Sequence, residues 1–197
     1  MNDRTEFIRR LGSSKFNYWF GYVANLGLVG WLLTHAFRDG RNLLHPTAWL
    51  GWALVGLLSW TLSEFLLHRY LYHLWSTFLS EGHALHHESP RELIGVPWYL
   101  TAIALVVIYK GLCLATRPHV TAVVMAFNWL GYILYCIAHH GSHHWSLGSG
   151  WLKAMKRHHL LHHAHPEYNW GFTTPLWDHV FGTHYDRRRA PEAKASH

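Results

Sequence analysis

Fourteen of the 20 histidines in this 197-residue chain stand in four groups: "HRYLYH" (68–73), "HALHH" (83–87), "HHGSHH" (139–144) and "HHLLHHAH" (158–165). On a helix, residues three and four apart share a face. His83 with His86 and His87, His139 with His143, and His159 with His162 and His163 therefore each turn imidazoles to one side. Neutral imidazole ligates iron, zinc, copper or nickel, and so many nitrogens exceed the needs of one ion, so two metals are the natural count. A structural zinc site, closed by four ligands and often using Cys, fits neither the number nor the type. His68 and His73 are five apart, about 140° around a regular α-helix; they are expected to serve two ions or to straddle a helix end.

Any one of these histidines alone reads as a polar residue at a membrane interface, and it is the grouping that points to metal. His35, His45 and His119 fall at the far ends of apolar runs or in turns and read as interface residues. His140, His144, His158 and His165 flank the best-spaced candidates, and His179 and His184 stand apart from them. Of these, His144 is expected to support the site from behind. Glu64 lies one helical turn before His68, at a depth where an unpaired carboxylate is costly, so it is expected to hold that imidazole's other nitrogen. Asp178 is a second candidate for this role, or simply a helix-terminal acid.

These groups must be positioned by elements that the composition places in a membrane. Half of the residues are hydrophobic, 14% are charged, and there are 12 Trp and 10 Tyr. Apolar runs at 16–37, 47–67, 96–115 and 119–138 predict four spans, the last two joined only by "TRP" as a tight hairpin or, alternatively, a re-entrant pair. Arg4, Arg9, Arg10 and Lys15 precede the first run, whereas Lys153, Lys156, Arg157, Arg187, Arg188, Arg189 and Lys194 follow the last. Both termini, and with them the histidine groups, are expected on the cytoplasmic side of a bacterial inner membrane. The expected fold is an all-α integral membrane protein with a histidine-rich helical cap holding a dimetal centre. One domain is expected over 1–197, with a polar start at 1–15, a motif core at about 60–185 and a frayed tail at 186–197. "RDGRNLLHP" reads as a turn and "SLGSG" as a break. Cys113 and Cys136 sit in apolar runs as small buried residues. The net charge of +6 is concentrated at the two ends, a distribution unlike a nucleic-acid interface. No cleavable signal is evident.

The four groups, in order and closed by "WGFTTPLWDHVFGTHY", resemble the fatty acid hydroxylase and sterol desaturase superfamily of membrane di-iron enzymes over about residues 60–185, and most of all the fatty acid 2-hydroxylases. The resemblance implies His68, His73, His83, His86, His87, His139, His143, His159, His162 and His163 as ligands. It also implies two iron ions, which zinc can replace in purified material, with O2 as co-substrate and a long-chain fatty acyl or lipid substrate. Trp98, Tyr99, Trp129 and Trp170 are candidates to line its route. Eukaryotic members often carry a fused cytochrome b5 domain, for which the first 60 residues leave no room. Nor is there a Rossmann glycine pattern, a haem motif or an iron–sulfur motif. An external ferredoxin, cytochrome b5 or reductase is therefore expected to supply electrons. A desaturase or a carotenoid or sterol hydroxylase fits the same scaffold. A metal transporter or buffer fits less well, because only Glu64 lies well inside a span.

Overall fold

The apolar run after Ser14 folds as α1 (Lys15–Gly40). Pro46, whose missing N–H costs nothing at a helix start, opens α2 (Pro46–Leu66), and His45 Nδ1 caps it by accepting from the Thr47 N–H. Without a break, α2 passes into a π-helical segment, Leu67–Leu74. A capping box of Thr77 and Ser80 starts α3 (Phe78–Glu88). The hairpin α4 (Trp98–Cys113) and α5 (Pro118–His144) follows, then α6 (Gly150–Ala164) and the short α7 (Leu176–Val180). This computed structural model describes residues 10, 12, 14–40, 45–146 and 149–187, and it contains no strand among them. Residues 41–44 of the "RDGRNLLHP" turn, two residues of the "SLGSG" break and nearly all of the "RRRAPEAKASH" tail lie outside the described residues, as do Arg4, Arg9, Arg188, Arg189 and Lys194.

The protein is an all-helical membrane protein. Three helices are long and apolar enough to cross a bilayer: Lys15–Arg38, Pro46–Leu74 and Pro118–His144. The expected count was four. The 96–115 run forms only the 16 residues of α4, about 24 Å of helix against a hydrocarbon core of about 30 Å. Its far end still reaches well along α1, since Tyr109 packs against Trp31 and His35. In contrast, α5 runs past the expected end of its span and carries His139 and His143 out on continuous helix.

Helix α5 packs between α1 and α2 and supplies the core residues Ala122, Val123, Ala126 and Ile133. Two buried amides cross-link the bundle: Asn128 Nδ2 donates to Ser59 Oγ (2.9 Å), and Trp129 Nε1 donates to Asn25 Oδ1 (2.7 Å). Such bonds, with small residues at close approaches, hold helices together where lipid removes the hydrophobic drive for association. Gly131 is one such approach, because a Cβ there would lie 2.6 Å from Trp60 Cγ and 2.7 Å from its Cβ. Gly131→Leu is expected to destabilise the bundle by about 1–3 kcal/mol or more, read as a lowered melting temperature in detergent.

Candidate metal centre

The end of α2, α3, the end of α5 and α6 meet on one face of the bundle, and there the ten histidines come together as two groups of five. His68, His73, His83, His87 and His162 form one group; His86, His139, His143, His159 and His163 form the other. Within each, one ring nitrogen per residue lies within 4.8 Å of all the others. Helices α3 and α6 contribute to both groups, whereas the π-segment serves only the first and α5 only the second.

The expectation that His68 and His73 would divide between ions, or straddle a helix end, does not hold. Their segment is π-helical, so the i→i+5 pattern stacks residues five apart on one face. Their rings lie 5.1 Å apart in the same group.

Nitrogen faces nitrogen throughout. His83 Nε2 sits 3.1 Å from the Nε2 atoms of both His68 and His87, and His162 Nε2 sits 3.1 Å from His73 Nε2. In the second group, His159 Nε2 lies 2.9 Å from His143 Nε2 and 3.1 Å from His163 Nε2. Two ligands in adjacent positions on one ion, each about 2.1 Å from it, would be about 3.0 Å apart. His86 Nε2 and His139 Nε2 are buried with no hydrogen-bond partner, an unfavourable state for polar nitrogen that a metal would relieve. The donor set is compatible with a metal centre.

Ring orientation is set by a loop that follows α6. A carbonyl must receive a proton, so His68 Nδ1–H donates to Trp170 O (2.6 Å) and His162 Nδ1–H donates to Tyr168 O (2.7 Å). Each ring is thereby left with its Nε2 lone pair facing the group. Glu64 does not touch His68, contrary to expectation. Its Oε1 accepts from the Phe172 and Thr173 N–H groups and its Oε2 from Thr173 Oγ1 (2.5 Å). Asp178, with no exposed surface, accepts from the Trp170 N–H (2.8 Å), the Gly171 N–H (2.9 Å), Thr183 Oγ1 (2.8 Å) and His158 Nε2 (3.1 Å). Both acids therefore act on the loop rather than on a ligand. Asn169 adopts a left-handed conformation (φ 58°), which asparagine tolerates well, and its Nδ2 donates to His158 O (3.2 Å). A Cβ on Gly171 would collide with Thr174 O.

Burial, and for most of them the neighbouring imidazoles, keeps the cap histidines neutral. His86 is pushed down to about 2, His163 to about 3 and, by burial alone, His87 to about 4. His83, His159 and His162 are lowered for the same reasons, burial first. Their lone pairs are thus available well below neutral pH.

Among the described residues, the remaining histidines stay outside both groups. His144 is exposed and stacks on His140 (4.3 Å), whose Nδ1 lies 2.9 Å from the Tyr18 hydroxyl; it supports no ligand. His165 stacks on Tyr185 (4.4 Å), and His179 lies against His184 (4.2 Å). The Tyr168 and Trp170 carbonyls were not legible in sequence, since any residue type supplies a carbonyl; the one local signal is the Asn-Trp-Gly turn chemistry. The cavity beside the centre touches the first group through His83 and the second through His86 and His139. None of Trp98, Tyr99, Trp129 and Trp170 lines it. Trp170 instead packs on His73 (4.8 Å) and His162 (5.3 Å). The cavity wall is tyrosine-rich: Tyr72 stacks on His83 (5.2 Å) and Tyr135 on His139 (5.6 Å).

Fold and site define a helical membrane protein with a ten-imidazole, two-group centre on one face. The fatty acid hydroxylase family model matches residues 53–183, and the chain belongs to that family. It is 36% identical over 137 residues to a dihydroceramide fatty acyl 2-hydroxylase of Arabidopsis thaliana, covering 65% of this chain and 58% of the relative. It is also 30% identical over 158 residues to a fatty acid 2-hydroxylase of Rattus norvegicus, covering 74% of this chain and 42% of the relative. The chain thus spans 42–58% of the length of these relatives. The fold is similar to the visible hydroxylase domain of full-length scs7p, with a TM-score of 0.78 at 26% identity over 95% of this chain and 73% of that one.

Two measurements check this account. Asp178→Ala frees the loop and is expected to lower metal affinity by about 10- to 100-fold, read as metal retained after dialysis against a weak chelator. In the metal-free protein the folded pKa values of the cap histidines lie below the unfolded value of about 6.5, so the unfolded chain binds more protons in acid. Its melting temperature is expected to hold steady above about pH 7 and to fall from about pH 6.5 towards pH 4.

Proposed function

We propose that the chain is an O2-dependent hydroxylase of a long-chain fatty acyl or lipid substrate, acting at a two-iron centre held by the ten histidines. The observation that carries this reading is the convergence of two five-imidazole groups beside one cavity, which they reach through His83, His86 and His139. When bound, the iron pair supplies the oxygen-activating and electron-transfer chemistry that no side chain possesses. His68, His73, His83, His87 and His162 would hold one ion, and His86, His139, His143, His159 and His163 the other. The Tyr168 and Trp170 carbonyls keep the rings of His162 and His68 in the ligating tautomer. Tyr72 and Tyr135, stacked on ligand rings, give the cavity an aromatic wall beside the centre.

The substrate C–H bond becomes C–OH with one oxygen atom of O2, and the other atom leaves as water. This stoichiometry requires two electrons and two protons from outside the substrate. An external ferredoxin, cytochrome b5 or reductase is proposed as their source. The cap and both termini are proposed to face the cytoplasm across a bacterial inner membrane, in agreement with the lysines and arginines that flank the spans. Similarity to enzymes named as fatty acid and ceramide hydroxylases favours hydroxylation over desaturation.

Expression of wild-type and His159→Ala protein in a bacterial host grown with added iron, followed by mass spectrometry of total lipids, tests this reading. Acyl species heavier by one oxygen are expected with the wild type and not with the variant. A product lighter by two hydrogens would make the enzyme a desaturase. No lipid difference with iron loading and an electron donor confirmed would remove the acyl substrate altogether.

A further inference from the structure

Three cavity-lining residues carry a buried polar atom without a hydrogen-bond partner: His86, His139 and Asn17. The two imidazole nitrogens belong to the metal groups. Asn17 does not, and its amide needs another account. It stands in the first turn of α1 and is 8% exposed. Its Oδ1 accepts from the Trp98 N–H (3.0 Å), one of the free donors at the start of α4, which has no cap of its own because Pro97 occupies the capping position. This bond fixes the amide: the oxygen must face Trp98, so Nδ2, with both its protons, points elsewhere. The other asparagine lining the cavity, Asn25, is satisfied at both ends, donating to Gly21 O (2.6 Å) and accepting from Trp129 Nε1. Asn17 Nδ2 alone is left as an unpaired buried amide donor beside the cavity, among the described residues.

An unmet buried donor is costly, and an acceptor that arrives with a ligand removes the cost. Of what charge? No Lys, Arg, Asp or Glu lines the cavity among the described residues. A carboxylate beside Asn17 would lose its water without meeting a charged side chain. The matching acceptor is a neutral oxygen, either a carbonyl or a hydroxyl. The Tyr18 hydroxyl bond to His140 places the start of α1 beside the end of α5, at the level of the metal groups. A chain whose polar oxygen pairs with Asn17 would therefore lie with its nearby methylenes towards the imidazoles.

We propose that Asn17 is a specificity residue, its Nδ2 donating to a neutral oxygen of the lipid that occupies the cavity. This rests on the hydroxylase reading and adds to it the contact that sets which carbon is presented. The role is separable from capping, because Asn17→Met removes the donor while its thioether sulfur remains a weak acceptor for the Trp98 N–H, and Asn17→Leu removes both at similar volume.

The test uses purified full-length protein in detergent micelles, titrated with three probes of equal chain length and brominated tails: a fatty acid methyl ester, a fatty alcohol and an alkane. Quenching of tryptophan fluorescence reports binding, and thermal unfolding reports the fold. Wild type is expected to bind the ester, the alcohol or both about tenfold more tightly than the alkane. That preference is expected to vanish in both variants, with a cooperative unfolding transition retained in Asn17→Met. An ester-only preference assigns the acceptor as a carbonyl, and an alcohol-only preference as a hydroxyl. The proposal is overturned if wild type shows no preference, or if Asn17→Met and Asn17→Leu keep it. If that happens while His159-dependent oxygenated lipids still form, this inference alone falls. If no probe binds and no such product forms, the hydroxylase reading falls with it.

Discussion

Two buried carboxylates, neither aimed at a ligand, hold the loop on which the centre depends. Glu64 reaches from α2 to the Phe172 and Thr173 amides, and Asp178 from α7 to the Trp170 and Gly171 amides. Between them the backbone has little freedom, and the Trp170 carbonyl is presented to His68. A buried carboxylate is tolerated only when its oxygens are fully hydrogen-bonded, so the same bonds that satisfy the acids immobilise the loop. Removing either acid would leave unsatisfied backbone donors as well as a loose carbonyl.

From this loop the constraint passes outwards. The Trp170 carbonyl fixes a ring on the π-segment and the Tyr168 carbonyl a ring on α6, and the Trp170 side chain packs against both. His158, one residue before His159, is tied to Asp178, so the same acid also anchors α6. Two elements far apart in sequence are thereby brought into one register. The π-segment contributes a further device, because its wider turn makes a five-residue spacing suit one face. In a regular helix the same two histidines would point apart.

Ten neutral imidazoles facing one another form a poor core without an ion. Their lone pairs repel, two nitrogens lack partners, and burial opposes the protonation that would relieve them. Metal binding and closure of the cap should therefore be strongly coupled, as expected where a site is assembled from several helices. The membrane bundle beneath has its own core and amide cross-links, and it provides a platform onto which the cap folds.

Much of this was legible in the sequence. Apolar runs of span length announced α1, α2 and α5, because a bilayer leaves no alternative to helix for a hydrophobic backbone. The i, i+3 and i, i+4 spacings announced which histidines share a face, because helical geometry is local. Length misled at α4, where an apolar run continued past the helix it forms, and at His68 and His73, where a regular helix was assumed. Glu64 and Asp178 were recognisable as buried acids, but what they hold was not, since their partners are backbone amides more than a hundred residues away for Glu64 and identical in every residue type. The division of ten histidines into two groups was likewise decided by tertiary structure, through the crossing of α3 and α6 over the ends of α2 and α5. Sequence by itself determined the ligand types and their local faces; only packing decided which faces meet, because that depends on long-range contacts that no spacing encodes.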